Sequence, residues 1–226
     1  MFVPRLTGFA LACLALVLIT AIGASAVTIY TKPASDGMVW YYNTGHAPSP
    51  EQGVNTMYSY ACVTNWEHPV GGYNYTREIS KGVFEFPISS LSGVTLPVNS
   101  AKLHIYFQSN TTLPVVDLYG FCYDGGGTIT YEGGPITSIT SLTPAASTWR
   151  EVDVTADLQR QINAGYAWAG FRFAARYVVD DTRVAYISTY EDSAYRPHLD
   201  VIPESSSLLA LGSGLLALCG VLRRRR

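Results

Sequence analysis

The chain has 226 residues, 48% of them hydrophobic and 14% charged, with a formal net charge of −2. Its length suits one domain and is enough to bury a core. The weakly acidic balance argues against nucleic acid or anionic lipid as a partner, since either asks for a basic face.

The first 26 residues, MFVPRLTGFALACLALVLITAIGASA, carry one cation (Arg5), an apolar run to Ile22 and the small-x-small pattern Ala24-Ser25-Ala26. These are the parts of a secretory signal peptide cleaved after Ala26, as against an uncleaved anchor helix. The predicted mature domain is 27–202, followed by a tail of 203–226. Discarding Arg5, Glu204 and the four terminal arginines leaves 10 cations against 16 anions, a net charge of −6. Of the four cysteines only Cys62 and Cys122 fall in this domain. Export permits a bridge between them; the plainer reading is two small buried thiols. The sequence shows no CxxC and no Cys/His cluster at metal spacing, so no metal ligand is assigned.

From Val27 onward a two-residue period dominates. VTIY, MVWYY, YSYACV and GVFEF read as strands, and NTGHAPSPEQG as one long loop between them. AKLHIYF sets Leu103, Ile105 and Phe107 against Lys102, His104 and Tyr106 on the opposite face. VVDLYGF follows, and DGGG and EGGP supply turns. WREVDV sets Val152 and Val154 against Glu151 and Asp153. TADLQRQINAG predicts one short helix, with Thr155 as N-cap and Gly165 just past its end. FRFAAR places Phe171 and Phe173 inward, RVAYIST is a further strand, and PHLDVI sets Leu199 and Val201 against His198 and Asp200. About ten half-buried strands and one helix predict an all-β fold, two antiparallel sheets packed as a β-sandwich.

Few residues suggest catalysis. The candidate acids are Glu85, Asp117, Asp153, Asp157, Glu191, Asp192 and Asp200. Glu191 and Asp192 are adjacent, so in extended chain they face opposite ways and cannot flank one glycosidic bond. His46 and His68 sit in loop-like sequence, and His104 and His198 take outward strand positions; solvated or hydrogen-bonded histidine is the plain reading of all four. No GxSxG or HExxH occurs. A noncatalytic protein is expected. Aromatics point instead to binding. Trp40, Tyr42, Tyr58, Tyr60, Trp66 and Tyr73, with Tyr41 and Tyr75 among them, cluster in the first half. Flat rings stack on sugar faces, so an exposed subset makes a glycan platform; alternate members are expected to fill the core. Near the end, Pro197 opens the last strand and holds Arg196 extended. Glu191 is expected to end the preceding strand and to meet Arg196 across a four-residue turn as a charge-assisted pair; the alternative is two solvated charges.

The tail opens on Pro203-Glu204. Leu208 to Leu222 is then nearly all Leu, Ala, Gly, Val and Cys, 15 residues against roughly 20 for a membrane span. Arg223, Arg224, Arg225 and Arg226 follow, a cluster the positive-inside bias holds on the cytoplasmic side. An apolar helix that enters the membrane transiently is expected. In this order the three parts resemble the C-terminal PEP-type sorting signal, with Ser205 where that family usually has proline. The resemblance implies a bacterial envelope, an exosortase as processing partner, and release to the surface or extracellular matrix. A plain C-terminal anchor is the competing reading.

A second resemblance runs from about Lys81 to Val201. KGVFEFPISSLSGVTLPVNSAKLHIYF is similar to the strand–loop–strand of DNRLRE-type domains. STWREVDVTADLQRQINAGYAWAGFRFAA is similar to that family's Trp strand, Asp-Val-Thr turn, helix and Gly-Phe strand. YISTYEDSAYRPHLDV is similar to its closing Ser-x-Glu and Arg-Pro-x-Leu-x-Val. Residues 43–80 depart from it, being longer and richer in Tyr than the usual opening. The resemblance implies a jelly-roll sandwich kept outside cells and related to carbohydrate-binding modules, some of which bind acidic polysaccharides. By the same analogy a structural calcium would sit on Asp36, Asp180 or Asp181, against the plainer reading of solvated loop aspartates. Three readings result: a surface or matrix protein that binds or scaffolds polysaccharide, a purely structural matrix protein, and a polysaccharide hydrolase.

Overall fold

The computed structural model describes residues 26–43, 51–69, 75–91, 97–113, 115–121, 124–130, 136–176, 178–179 and 183–203. Thirteen strands occur among them: β1 (Val27–Tyr30), β2 (Asp36–Asn43), β3 (Glu51–Asn55), β4 (Tyr60–Pro69), β5 (Tyr75–Pro87), β6 (Val98–Phe107), β7 (Val116–Phe121), β8 (Ile136–Leu142), β9 (Thr148–Asp153), β10 (Trp168–Ala175), β11 (Val178–Val179), β12 (Ala185–Ser188) and β13 (His198–Pro203). A 3-10 turn covers Ser89–Leu91, and one α-helix, α1, covers Thr155–Asn163. The protein is all-β, and every strand pair is antiparallel except β11 with β4.

Hydrogen-bonded neighbours run β1-β13-β6-β12-β4-β5-β10-β7-β8, with β9 on the other edge of β6, β2 on β5 and β3 on β2. The alternation expected from sequence decides which side chains turn inward. Leu103, Ile105 and Phe107 of β6, Val152 of β9, Leu199 and Val201 of β13, and Phe171 and Phe173 of β10 are all buried in one cluster. Phe84 and Phe86 of β5 meet β10 within it edge-on, Phe84 on Phe173 at 5.5 Å and Phe86 on Phe171 at 5.9 Å, the geometry that ring quadrupoles favour.

β4 is the hinge of the topology. Its first residues, Tyr60–Val63, pair with β12, and from Thr64 onward it pairs with β5. One strand therefore joins the β1/β13/β6/β12 group to the β5/β10/β7 group.

Three elements differ from the sequence reading. Glu51 to Gly53, read as part of a loop, begin β3, because the β2–β3 ladder supplies partners that a local reading cannot see. ITSITSL forms β8, an edge strand with mostly exposed side chains, held by its ladder to β7 and by Ile139 and Leu142 packed against the core. At the start of α1 the N-cap is Val154, with no side-chain cap bond, and Thr155 is the first helical residue. The Asp153 carboxylate accepts from both the N–H (3.0 Å) and the hydroxyl (2.7 Å) of Thr155. Thr155 Oγ1 in turn accepts from Ala101 N–H at 2.9 Å and so is committed to β6. Gly165 does lie just past the helix, at φ 77°, a conformation that favours glycine.

Candidate functional site

Side chains from β2, β3, β4, β5 and β12, with Tyr58, line a groove of about 530 Å³: Met38, Trp40, Tyr42, Asn55, Tyr58, Tyr60, Cys62, Glu78, Ser80 and Tyr186. Register explains the convergence. Trp40 lies opposite Ser80, Tyr42 opposite Glu78, and Tyr186 opposite Cys62, and residues opposed in an antiparallel ladder share a face. The Trp40 indole lies flat on Gly53, where a Cβ would come within 2.7 Å of the ring. Tyr58 stacks on Tyr60 at 5.6 Å, and Tyr60 meets Tyr186 edge-on at 5.1 Å. Tyr58 is 48% exposed, so the rings form a wall that solvent reaches.

Four of the six aromatic candidates, Trp40, Tyr42, Tyr58 and Tyr60, are thus brought together. Trp66 lies farther along β4 and does not line the groove, and Tyr73 lies outside the described residues. Burial raises the Glu78 carboxyl above the usual range. Burial, and then the charge of Glu78, pushes the Cys62 thiol up to about 12, so it is protonated at neutral pH and not nucleophilic. The groove offers ring faces, one acid, a hydroxyl and an amide. Those groups stack on and hydrogen-bond a polar ring.

A second ring-covered surface lies on the outer face of β1, β13, β6 and β9. Tyr106 stacks on Tyr195 at 3.9 Å with planes 10° apart, and Trp149 lies edge-on to Tyr106 at 5.6 Å. His104 and His198, register partners on β6 and β13, stack at 4.5 Å and 7°. Tyr30 and Trp149 each stand 5.5 Å from His198. His104 Nε2 lies 3.4 Å from Asp200 Oδ2. Burial, and then the neighbouring His198, hold the His104 imidazole below its ordinary pKa. Sequence reasoning placed His104, His198 and Asp200 on outward faces but not on one face together. The available signal was the alternation in AKLHIYF and PHLDVI; the pairing of β6 with β13 was missing.

Neither expected pair is seen among the described residues. Cys62 is a free thiol, and Cys122, its expected partner, lies outside the described residues. Among the described residues no ion pair joins Glu191 to Arg196 either. β12 ends at Ser188, so Glu191 falls in an exposed turn instead of ending a strand. Arg196 donates from Nε to Tyr190 O at 2.9 Å, and its guanidinium lies 4.2 Å over the Tyr190 ring. The final connection is clipped, but by a carbonyl and a ring.

The most perturbed carboxyls do not form a catalytic pair. Burial raises both Asp36 and Glu85 to about 7. Asp36 lies opposite Phe84 in the β2–β5 ladder, and Glu85 is the next residue, so the two side chains point to opposite faces. Asp36 Oδ2 accepts from Tyr190 N–H at 2.8 Å, and Glu85 Oε2 accepts from Gly127 N–H at 2.8 Å. Of the other calcium candidates, Asp180 and Asp181 lie outside the described residues, as do His46, Glu204 and Arg223 to Arg226; Pro203 ends β13.

Fold and site together define an all-β protein with a ring-walled groove. No protein-family model matches the chain, and no curated protein matches it in sequence.

Proposed function

We propose that this is an exported, noncatalytic cell-surface or extracellular-matrix protein whose β-sandwich holds envelope or biofilm polysaccharide in the Trp40–Tyr60 groove. The observation that carries the reading is the convergence of Trp40, Tyr42, Tyr58 and Tyr60 on one accessible groove with Glu78, Asn55 and Ser80 among its polar groups. Ring faces fit the apolar face of a pyranose, and the polar groups fit its edge hydroxyls. The sandwich itself is supported by β6, β9 and β13 sharing one core with β5, β7 and β10, and its jelly-roll character by the resemblance to DNRLRE-type domains. Opposed burial of Asp36 and Glu85 and a protonated Cys62 favour binding over hydrolysis. The tail's likeness to a PEP-type signal supports processing by an exosortase and only transient contact with the membrane. A calcium ion has no further support from the described acids.

A glycan array probed with the mature protein tests the reading. Binding of a polysaccharide class, lost in Trp40→Ala and Tyr60→Ala variants that keep their melting temperature, is the expected result. Binding that survives both substitutions would place the site elsewhere. Silence across the array would favour the purely structural matrix protein.

A further inference from the structure

The outer face of β6 and β13 carries a set of donor atoms that the glycan reading does not use. His104 and His198 are opposite each other in the ladder, and Asp200 is two residues beyond His198 on the same face. One ligand atom from each of His104, His198 and Asp200 lies within 4.8 Å of the others. We propose that these three residues bind a divalent transition-metal ion, zinc in particular, with the fourth coordination position open to solvent or to an exogenous ligand.

The donor set defines the metal class. Two imidazoles and one carboxylate suit zinc, nickel or copper, whereas calcium asks for six to eight oxygens. Zinc–ligand distances of about 2.1 Å put tetrahedral donors roughly 3.4 Å apart. His104 Nε2 and Asp200 Oδ2 are already at 3.4 Å. Binding also turns the stacked imidazoles, 4.5 Å apart and 7° from parallel, until both lone pairs meet at the ion, on a surface where Asp200 is 34% and His104 21% exposed.

Two ligands are also oriented from behind. His198 Nδ1 lies 3.2 Å from Arg196 O. As donor to that carbonyl it leaves Nε2 as the free lone pair, the arrangement by which outer partners fix a ligating histidine. Arg196 is itself held by its bond to Tyr190 O and by the buried Pro197 that follows. Asp200 Oδ1 accepts from the Thr28 hydroxyl at 2.5 Å, which leaves Oδ2 facing His104. The nearby cation, Lys102, is drawn to Glu151 at 3.3 Å and Asp153 at 3.8 Å. Tyr30 and Trp149 flank His198 as apolar walls. A cross-strand hydrogen bond alone would need none of these outer partners.

Calorimetric titration of the chelator-treated mature protein with zinc chloride tests the proposal. One zinc per chain is expected, with a raised melting temperature. His198→Gln and Asp200→Asn should weaken binding at least about tenfold, and Thr28→Val, which removes only the outer partner, by about tenfold. Calcium should not compete. Copper(II) gives a readout that needs no ligand variant: it should quench Trp149 fluorescence, whose ring is 5.5 Å from that of His198, and Trp149→Phe should abolish that quenched component. Absence of zinc binding, binding undiminished in His198→Gln, or copper quenching unchanged in Trp149→Phe would each overturn the site.

Discussion

Asp36 is a carboxyl held where a neutral group would be more at ease. It is fully buried, and Oδ1 has no hydrogen-bond partner. Burial raises its pKa from 3.8 to about 7, against the lowering effect of the Thr31 hydroxyl and the Tyr190 N–H; burial likewise raises Glu85 from 4.5 to about 7. Both hold a proton more tightly folded than unfolded, so stability falls as pH rises from about 4.5 to about 7 and is level above that. His104, whose folded pKa is lowered, works in the opposite direction once pH falls below the ordinary imidazole value. Asp117 and Asp153 are held below the usual range, by Arg176 and by Thr155 respectively, and lose their contribution only at more acid pH. Thermal unfolding should therefore give a higher Tm at pH 5.5 than at pH 8, with about half the difference removed in Asp36→Asn. A wild-type Tm flat across that range would show that both carboxyls are already ionised in the fold. Cys62 supplies a second prediction at this scale. With its thiol raised to about 12, iodoacetamide at pH 8 should modify it slowly in native protein and rapidly in urea. Equal rates would mean that the thiol is not shielded by the fold.

The helix and its seat show how one element is positioned by glycine. α1 carries Asp157, which accepts from Arg160 at 2.8 Å and from Gln161 at 2.6 Å. Gln161 Oε1 also accepts from Gly170 N–H at 3.0 Å, and Arg160 reaches the Phe121 carbonyl. This network sits directly on β7: a Cβ at Gly120 would come within 2.0 Å of Asp157 Oδ2. Gly120→Ala must push the helix away or break the Asp157–Gln161 contact, at a cost of about 1–3 kcal/mol. A loss of roughly 3–10 °C in Tm is expected, and an unchanged Tm would mean that α1 does not rest on β7. From sequence the helix was legible in TADLQRQINAG, with Gly165 just past its end. Its N-cap was not, because Thr155 spends its hydroxyl on β6, a strand far away in the chain.

At the scale of the whole molecule the two ends of the described chain lie side by side: β1 begins at Val27 and pairs with β13, Val27 opposite Val201. Release by an exosortase near Glu204 would therefore cut just beyond a strand that β1 and β6 already hold in place. Mass spectrometry of protein taken from the envelope should find a first residue at Val27 and a last residue near Glu204. Replacing Arg223 to Arg226 with alanine should leave precursor that keeps the tail. An intact tail on the native surface protein would instead make it a plain anchor.

What the sequence determined by itself was the inside of the protein. Alternation in AKLHIYF, FRFAAR and PHLDVI assigned Leu103, Phe107, Phe171, Phe173 and Leu199 to the core, and all are buried. A strand's period is two, so pattern alone tells which face each residue takes. It does not tell which strand lies alongside. The meeting of Tyr186 with Tyr60, of Trp40 with Gly53, and of His104 with His198 and Asp200 depends on ladders between strands distant in the chain. The expected Glu191–Arg196 pair was missed for the same reason. Proximity in a sheet comes from register and from where a strand ends, and only the tertiary structure decides either.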